Sequence, residues 1–266
     1  MPLLTPTQAA DVVDRLMKRS DSWIHMDRRA GPLPSFIMGA YYQYLSFDTP
    51  FPTPRQVNEA REARAGSSAL PAGKLATSTL TYSQVVQQYR TILLGEFGDL
   101  YSAIRKGLQE VTGQRVEYDA NWGVPGFQIT LSHRVFEWHV FQAHIDGAWS
   151  PLLRDLQARG ETCAPSARLS FTVPLQMPRN GGGLEYYLHD EAKCAAADIG
   201  PEMSGVSQCL SGPHHEEYRP GEMVVHAGST IHAVRPWRYG KGMPDDARIS
   251  IQGFAFYCDG RWVVHW

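Results

Sequence analysis

The spacing of apolar residues changes near residue 115, and the change divides the chain into two textures. Before it, apolar positions recur at intervals of three and four, the period of a helix face. Thr5-Pro6-Thr7-Gln8 supplies a threonine cap, a proline at the first helical position and a glutamine placed to complete a capping box. Ala9, Val12, Val13, Leu16 and Met17 then give this helix one apolar face. A second helix is predicted from Thr81, with Gln84 in the box position. It runs through Val85, Tyr89, Ile92, Leu93, Phe97, Leu100, Ile104, Leu108 and Val111 to a stop at Gly113, and Gly95 and Gly98 mark where it can bend or break. Residues 50–78 between the helices are rich in Pro, Gly, Ala and Ser, and a loop of that length is usually functional or disordered.

Beyond Val116 the apolar positions gather into short strand-like runs at 126–131, 135–145, 167–177, 183–189, 222–227, 230–237 and 247–258. "PRNGGG", "RPGE", "AGS" and "YGKGMPDDA" supply the turns, and "DGRWVVHW" at the end reads as a closing strand with aromatic packing. Helices first and strands after, without alternation, predict an α+β fold whose N-terminal helices pack on one face of the strands. The specific expectation is a double-stranded β-helix, or jelly roll. The chain is expected to form a single domain over 1–266, with a mainly helical part at 1–115 and a jelly-roll catalytic core at 116–266.

Composition narrows the function classes. With 266 residues, 43% of them hydrophobic, the chain is long enough to bury a sizeable core. A formal net charge of -2, with no basic run, gives no footprint for nucleic acid and no cluster for a lipid surface. The start, "MPLLTPTQ", lacks the charged and apolar regions of a secretory signal, and no apolar run approaches a membrane span. Cys163, Cys194, Cys209 and Cys258 are scattered without CxxC spacing, so four free thiols and a cytoplasmic location are expected. The expected partner is a small molecule.

The candidate chemistry begins at "HIDGAWS" (144–150). On a strand, His144 and Asp146 project to one face and Ile145 to the other, so an imidazole and a carboxylate reach the same ion, and Gly147 lets the strand stop. Alone this pair is weak, because such a spacing arises by chance in roughly one of two chains of this size. A facial triad of two histidines and one carboxylate needs a second histidine on a neighbouring strand. "HAGSTIHAVRPW" offers His226 and His232. Reading "TIHAVRPW" and "ARISIQGFAF" as a hairpin with a long loop puts Thr230, His232 and Val234 on one face, with Arg248, Ser250 and Gln252 facing the same way. Ile231, Ala233, Ile249 and Ile251 then turn outward, towards the helices. His226 precedes the Gly228-Ser229 turn on a different run and need not share that direction, so His232 is the expected ligand. An inward arginine is costly to bury without an anion, and a carboxylate-bearing cosubstrate would answer Arg248 with a bidentate pair that Ser250 could extend.

The order HxD, distant H, RxS, carried by "HIDG", "GGGLEYY", "RPGEMVVHAGSTIHAVRPW" and "RISIQGFAF", resembles the Fe(II)/2-oxoglutarate-dependent dioxygenases. The likeness is greatest to their prolyl-hydroxylase-like and phytanoyl-type branches, over about residues 120–258. That resemblance implies that His144, Asp146 and His232 bind Fe(II). It implies that Arg248 with Ser250 holds the distal carboxylate of 2-oxoglutarate, and that Gln128 makes a further polar contact to it. O₂ is the oxidant, with succinate and CO₂ as co-products. The implied reaction is hydroxylation, desaturation or cyclisation of a small molecule such as a free amino acid or a natural-product intermediate. Asp146 disfavours halogenation, which needs a small residue at that position. The long interval between His232 and Arg248 departs from the family pattern and leaves Arg238 as a rival anchor.

Other residues have plainer readings beside the sharp one. His139 is expected on the opposite face of its strand, and His214 and His215 as a solvated pair in a loop. Trp122, Trp149, Arg235 and Tyr239 are as consistent with core or surface positions as with a substrate wall, and segments 50–78 and 190–218 are candidate lids. The same triad in a zinc or manganese hydrolase or isomerase, or in a non-catalytic binding jelly roll, is the alternative.

Overall fold

The structure is a computed structural model that describes residues 1–28, 31–41, 82–138, 143–146, 150–189, 210–238 and 246–266. Its helices are α1 (Pro6–Lys18), α2 (Tyr82–Glu96), α3 (Gly98–Thr112) and α4 (Ser150–Ala158). Its strands are β1 (Ile24–Arg28), β2 (Gly31–Met38), β3 (Arg115–Tyr118), β4 (Gly126–Thr130), β5 (Cys163–Gln176) and β6 (Leu184–His189). They continue with β7 (Leu210–Glu216), β8 (Val224–Ala227), β9 (Ile231–Val234), β10 (Arg248–Cys258) and β11 (Arg261–His265). Helices and largely antiparallel sheets make the fold α+β, as the order of textures implied.

Strand β10 is the spine of the larger sheet. Along one edge it pairs with β5 for nearly its whole length; along the other it pairs first with β4 and then with β11. β2 and β1 extend this sheet beyond β4, β3 runs parallel to β11, and β8 pairs with the free edge of β5. A smaller sheet runs β7–β6–β9. The two strands expected to form a hairpin, β9 and β10, therefore lie in different sheets: β9 pairs with β6 and β10 with β4, β5 and β11. Side-chain alternation survives this correction, because two sheets facing each other present inward residues to one space just as a hairpin does.

The helices cover the other face of the larger sheet. α1 begins with its capping box closed both ways: Gln8 donates its backbone N–H to the Thr5 hydroxyl at 3.2 Å, and the Gln8 side chain accepts from Thr5 at 2.9 Å. Ala9, Val12, Val13 and Leu16 are buried, whereas Met17 is exposed and falls off the apolar face. The single long helix expected up to Gly113 is two helices, interrupted at Phe97, whose φ of -122° leaves the helical region just before Gly98. Gly113 ends the second at φ 66°, a left-handed cap. Val85, Tyr89, Leu93, Leu100, Ile104 and Leu108 join Ile249 and Ile251 of β10 in one apolar core.

Several local expectations fail, each for a physical reason. β1 and β2 lie in the part read as helix and loop; β2 contains Pro32 and Pro34, which disfavour a strand, yet it pairs with both β1 and β4. Residues 135–137 of the expected strand 135–145 belong to a 3₁₀ turn, Arg134–Glu137, started by a bond from the Val135 N–H to His133 Nδ1. α4 and β3 had no counterpart among the expected elements. His214 and His215 sit on β7 and not in a loop: His214 stacks on Tyr186 at 5.4 Å, while His215 is exposed. The lid segment 190–218 contains β7 in its second half, and its residues 190–209 lie outside the described residues, as do 50–78, Gly147, His139, Trp149 and Tyr239.

The expectation of free thiols is overturned for one pair. Cys163 and Cys258 stand opposite each other in the β5–β10 register and are joined by a disulfide. Sheet register brings together residues 95 apart in sequence, a proximity that no local spacing signals. Structural disulfides are uncommon in a reducing cytosol, so the cytoplasmic expectation loses the support drawn from cysteine spacing. Non-reducing peptide mapping should find the Cys163 and Cys258 peptides linked. Reduction should lower the melting temperature, since a cross-link closing a loop of this length is worth up to about 4–5 kcal/mol by chain entropy. Ready alkylation of both cysteines in unfolded, unreduced protein would show the bond to be absent.

The closing strand carries a second stability determinant. His265 is fully buried among Phe254, Phe256 and Trp122, and among the described residues neither ring nitrogen has a hydrogen-bond partner. Burial pushes its pKa down to about 3, against a small opposing pull from Asp119. The unfolded chain therefore binds this proton more readily, and folding stability is lost as the pH falls from about 6.5 towards 3. His265→Phe should lose less stability than wild type between pH 7 and 4.5, by about 2–3 kcal/mol in urea titrations. Parallel pH profiles would refute the assignment.

Candidate metal centre and its pocket

Residue 144 reaches the small sheet through its backbone. His144 and His232 form an antiparallel bridge, each N–H donating to the other's carbonyl at 2.9 Å. Directly opposed residues project to the same side of a sheet, so the two rings meet, with centroids 4.7 Å apart. Asp146, two residues on, returns to that side, while Ile145 between them is 42% exposed. One Asp146 oxygen lies 3.6 Å from His144 Nε2 and the other 3.6 Å from His232 Nε2. The three ligand atoms fall within 4.8 Å of one another, and among the described residues this is the one cluster of three or more such side chains able to hold a metal ion.

The donor chemistry fits a divalent cation. His232 Nδ1 lies 2.9 Å from the Thr230 carbonyl, which can only accept, so the proton sits on Nδ1 and Nε2 keeps a lone pair for a metal. Burial lowers the His232 pKa, partly offset by Asp146, which keeps the ring neutral at ordinary pH. Burial opposes ionisation of Asp146, but the adjacent His144 and His232 outweigh it and leave its pKa below the ordinary carboxylate value. Two imidazoles and a carboxylate on one side of an ion leave its other positions open.

The same pocket extends to Arg248 at the start of β10. Arg248 is 2% exposed, its Nε donates to the Gly182 carbonyl at 2.9 Å, and a terminal nitrogen donates to Ser250 Oγ at 3.2 Å. The guanidinium also stands 5.7 Å over the Tyr218 ring. Gly182 has φ +75°, which an L side chain rarely adopts, so the "GGG" turn is what presents this carbonyl. Burial lowers the Arg248 pKa, yet an arginine keeps its charge, and among the described residues no carboxylate pairs with it. Gln128 on β4 lines the pocket opposite Ser250 in register. Ser250 is buried and holds the guanidinium without itself lining the pocket.

Other expectations sort clearly. Arg238 is exposed and lines a separate surface cleft with Arg179, Arg235 and Glu217, away from the triad. Arg235 pairs with Glu217 at 2.5 Å, and Trp122 is buried with its indole N–H donating to Asp155 at 2.8 Å. His226, whose direction the sequence left open, faces the same pocket, with its ring 4.6 Å from that of His232; β8 pairs with β5 and turns His226 inward. It does not belong to the three-residue cluster. Ser170, Thr172, Tyr218 and Tyr41 also line the pocket. Ser170 and Thr172 left a trace in the sequence, two polar residues alternating within an apolar strand; Tyr218 lies just past the end of β7, before the turn at Pro220-Gly221, and left none.

No family model and no curated sequence matches the chain. Similar solved structures include the non-heme alpha ketoglutarate dependent carbocyclase SnoK from nogalamycin biosynthesis. It has 11% identity, coverage of 97% of this chain and 79% of that one, and a TM-score of 0.47. A Pseudomonas putida prolyl-4-hydroxylase has 14% identity, coverage of 96% and 88%, and a TM-score of 0.37. An N-substituted L-amino acid dioxygenase from Burkholderia ambifaria has 10% identity, coverage of 67% and 72%, and a TM-score of 0.37. Likeness at this level does not by itself assign a fold or an activity.

Cobalt(II), followed by its visible absorption, is the direct probe of the cluster. Asp146→Ala should weaken its binding by about 100-fold or more, while His226→Ala should stay within about twofold of wild type. Equal losses in the two variants would place His226 among the ligands.

Proposed function

We propose that the chain is an Fe(II)/2-oxoglutarate-dependent oxygenase acting on a small molecule, built on a double-stranded β-helix within a single domain over 1–266. The observation that carries this reading is Arg248: a buried guanidinium, unanswered by carboxylate among the described residues, in the same pocket as the His144–Asp146–His232 cluster. A buried cation without a counter-charge is costly, and a dicarboxylate reaching from the metal to Arg248 would remove that cost.

His144, Asp146 and His232 would hold the iron, and Arg248 would pair with the distal carboxylate, steadied by Ser250, the Gly182 carbonyl and the Tyr218 ring. Gln128 would offer a further polar contact along the same wall. Bound Fe(II) supplies the activation of O₂ coupled to decarboxylation of 2-oxoglutarate to succinate and CO₂. The chain's own part would be to keep His232 neutral, hold the Asp146 carboxylate ionised and leave open the side of the ion away from the cluster. Asp146 occupies the position that a halide would need, which favours hydroxylation, desaturation or cyclisation. Leu184, Val234, Phe171 and Phe254 give the pocket apolar walls suited to a small organic substrate.

Anaerobic addition of Fe(II) and 2-oxoglutarate should produce a visible metal-to-ligand charge-transfer band. Arg248→Lys, which keeps the charge but loses the planar fork, should need about 10- to 100-fold more 2-oxoglutarate for the same band, with metal affinity unchanged. Metal binding without a band in wild type would overturn the oxygenase reading in favour of a non-redox metal enzyme or a binding protein. Should Arg238→Ala raise the requirement in place of Arg248→Lys, the anchor is misassigned.

A further inference from the structure

Two of the three clustered side chains are steadied through backbone contacts, and the third is not. His232 lies on β9 within the small sheet, and His144 is bridged to it on both sides of the pair. Asp146 lies beyond that bridge, outside any strand, so its carboxylate needs another anchor to hold a ligand geometry. Ser170 faces it from the middle of β5, where the backbone is paired on one side with Phe254 of β10 and on the other with His226 of β8. Ser170 and Asp146 line the pocket together and also share a small cavity behind it.

The Ser170 hydroxyl is buried, with the residue 3% exposed, and among the described residues no partner meets it in good hydrogen-bond geometry. The side chain that shares both cavities with it and can accept its proton is the Asp146 carboxylate. A buried hydroxyl left without a partner is costly, and such groups call for an explanation. In the present geometry each Asp146 oxygen is turned to one imidazole, at 3.6 Å. A metal held by one oxygen would leave the other without a donor, beside an orphaned hydroxyl.

We propose that Ser170 is a positioning residue for the metal: its O–H donates to the Asp146 oxygen that does not bind the ion and locks the carboxylate to the larger sheet. The proposal rests on the assignment of His144, Asp146 and His232 as metal ligands. It makes the centre a joint product of the two sheets, with both histidines held by the small one and the carboxylate's orientation set by the large one. Ligand-orienting partners of this kind are typically worth 10- to 100-fold in metal affinity.

The test uses cobalt(II) alone, with no cosubstrate or substrate. Ser170→Ala should weaken cobalt binding by about 10- to 100-fold while the melting temperature of the metal-free protein stays equal or rises, because an unsatisfied hydroxyl has been removed. Ser170→Thr, which keeps the hydroxyl, should recover most of the affinity. Thr172→Val, two residues along the same face of β5, should bind within about twofold of wild type. Wild-type affinity in Ser170→Ala, or an equal loss in Thr172→Val, would overturn the positioning role. Failure of the wild-type protein to bind cobalt would instead overturn the metal assignment beneath it.

Discussion

The pairing of β10 with β5 is the constraint on which the rest of the molecule depends. Eleven residues, Arg248–Cys258, run beside β5, and the free edge of β10 then takes β4 along its first half and β11 along its second. One strand thereby sets the register of three neighbours' side chains. Its outward residues, Ile249 and Ile251, meet the helices in the core; its inward residues, Arg248, Gln252 and Phe254, face the pocket. A shift of one residue in this pairing would exchange the two sets, placing a guanidinium in the apolar core and isoleucines in the pocket, which makes the register strongly specified. The Cys163–Cys258 disulfide closes the far end of the same pair.

Against that rigid sheet the site is assembled from shorter pieces. The small sheet contributes His232, and a two-residue backbone bridge brings His144 beside it. The charges in the pocket are arranged with opposite characters at its two ends: an ionised carboxylate between two imidazoles, and a buried guanidinium stabilised by a carbonyl, a hydroxyl and an aromatic face. In the proposed enzyme both ends are completed by ligands, a cation at one and a carboxylate at the other. That complementarity is a physical reason for retaining Arg248 in a position where an apolar residue would be less costly.

Much of the site was legible because strand alternation is a local rule. His144 with Asp146, Thr230 with His232 and Val234, and Arg248 with Ser250 and Gln252 could be sorted by face from sequence alone. His226 could not, because its direction depends on β8 pairing with β5 and not on its distance from the Gly228-Ser229 turn. Tyr218 was invisible for a similar reason: it enters the pocket from the segment between β7 and β8, whose path is set by the sheets on either side. The helix caps at Thr5 and Gly113 were readable, since capping is settled within a few residues. β1 and β2 were not, because Pro32 and Pro34 weaken a strand by propensity while pairing partners on both sides override it.

By itself, then, the sequence determined which residues could share a face, where helices begin and end, and that an HxD, a distant histidine and an RxS stand in an order suited to a metal and a dicarboxylate. Only the tertiary structure decided which strands neighbour which. It placed β9 and β10 in facing sheets in place of a hairpin, joined Cys163 to Cys258, turned His226 and Ser170 towards the cluster and sent Arg238 to the surface. The reason lies in range: capping and alternation are fixed by bonds between near neighbours, whereas strand partnership is chosen by burial and backbone hydrogen bonding among segments far apart in the chain.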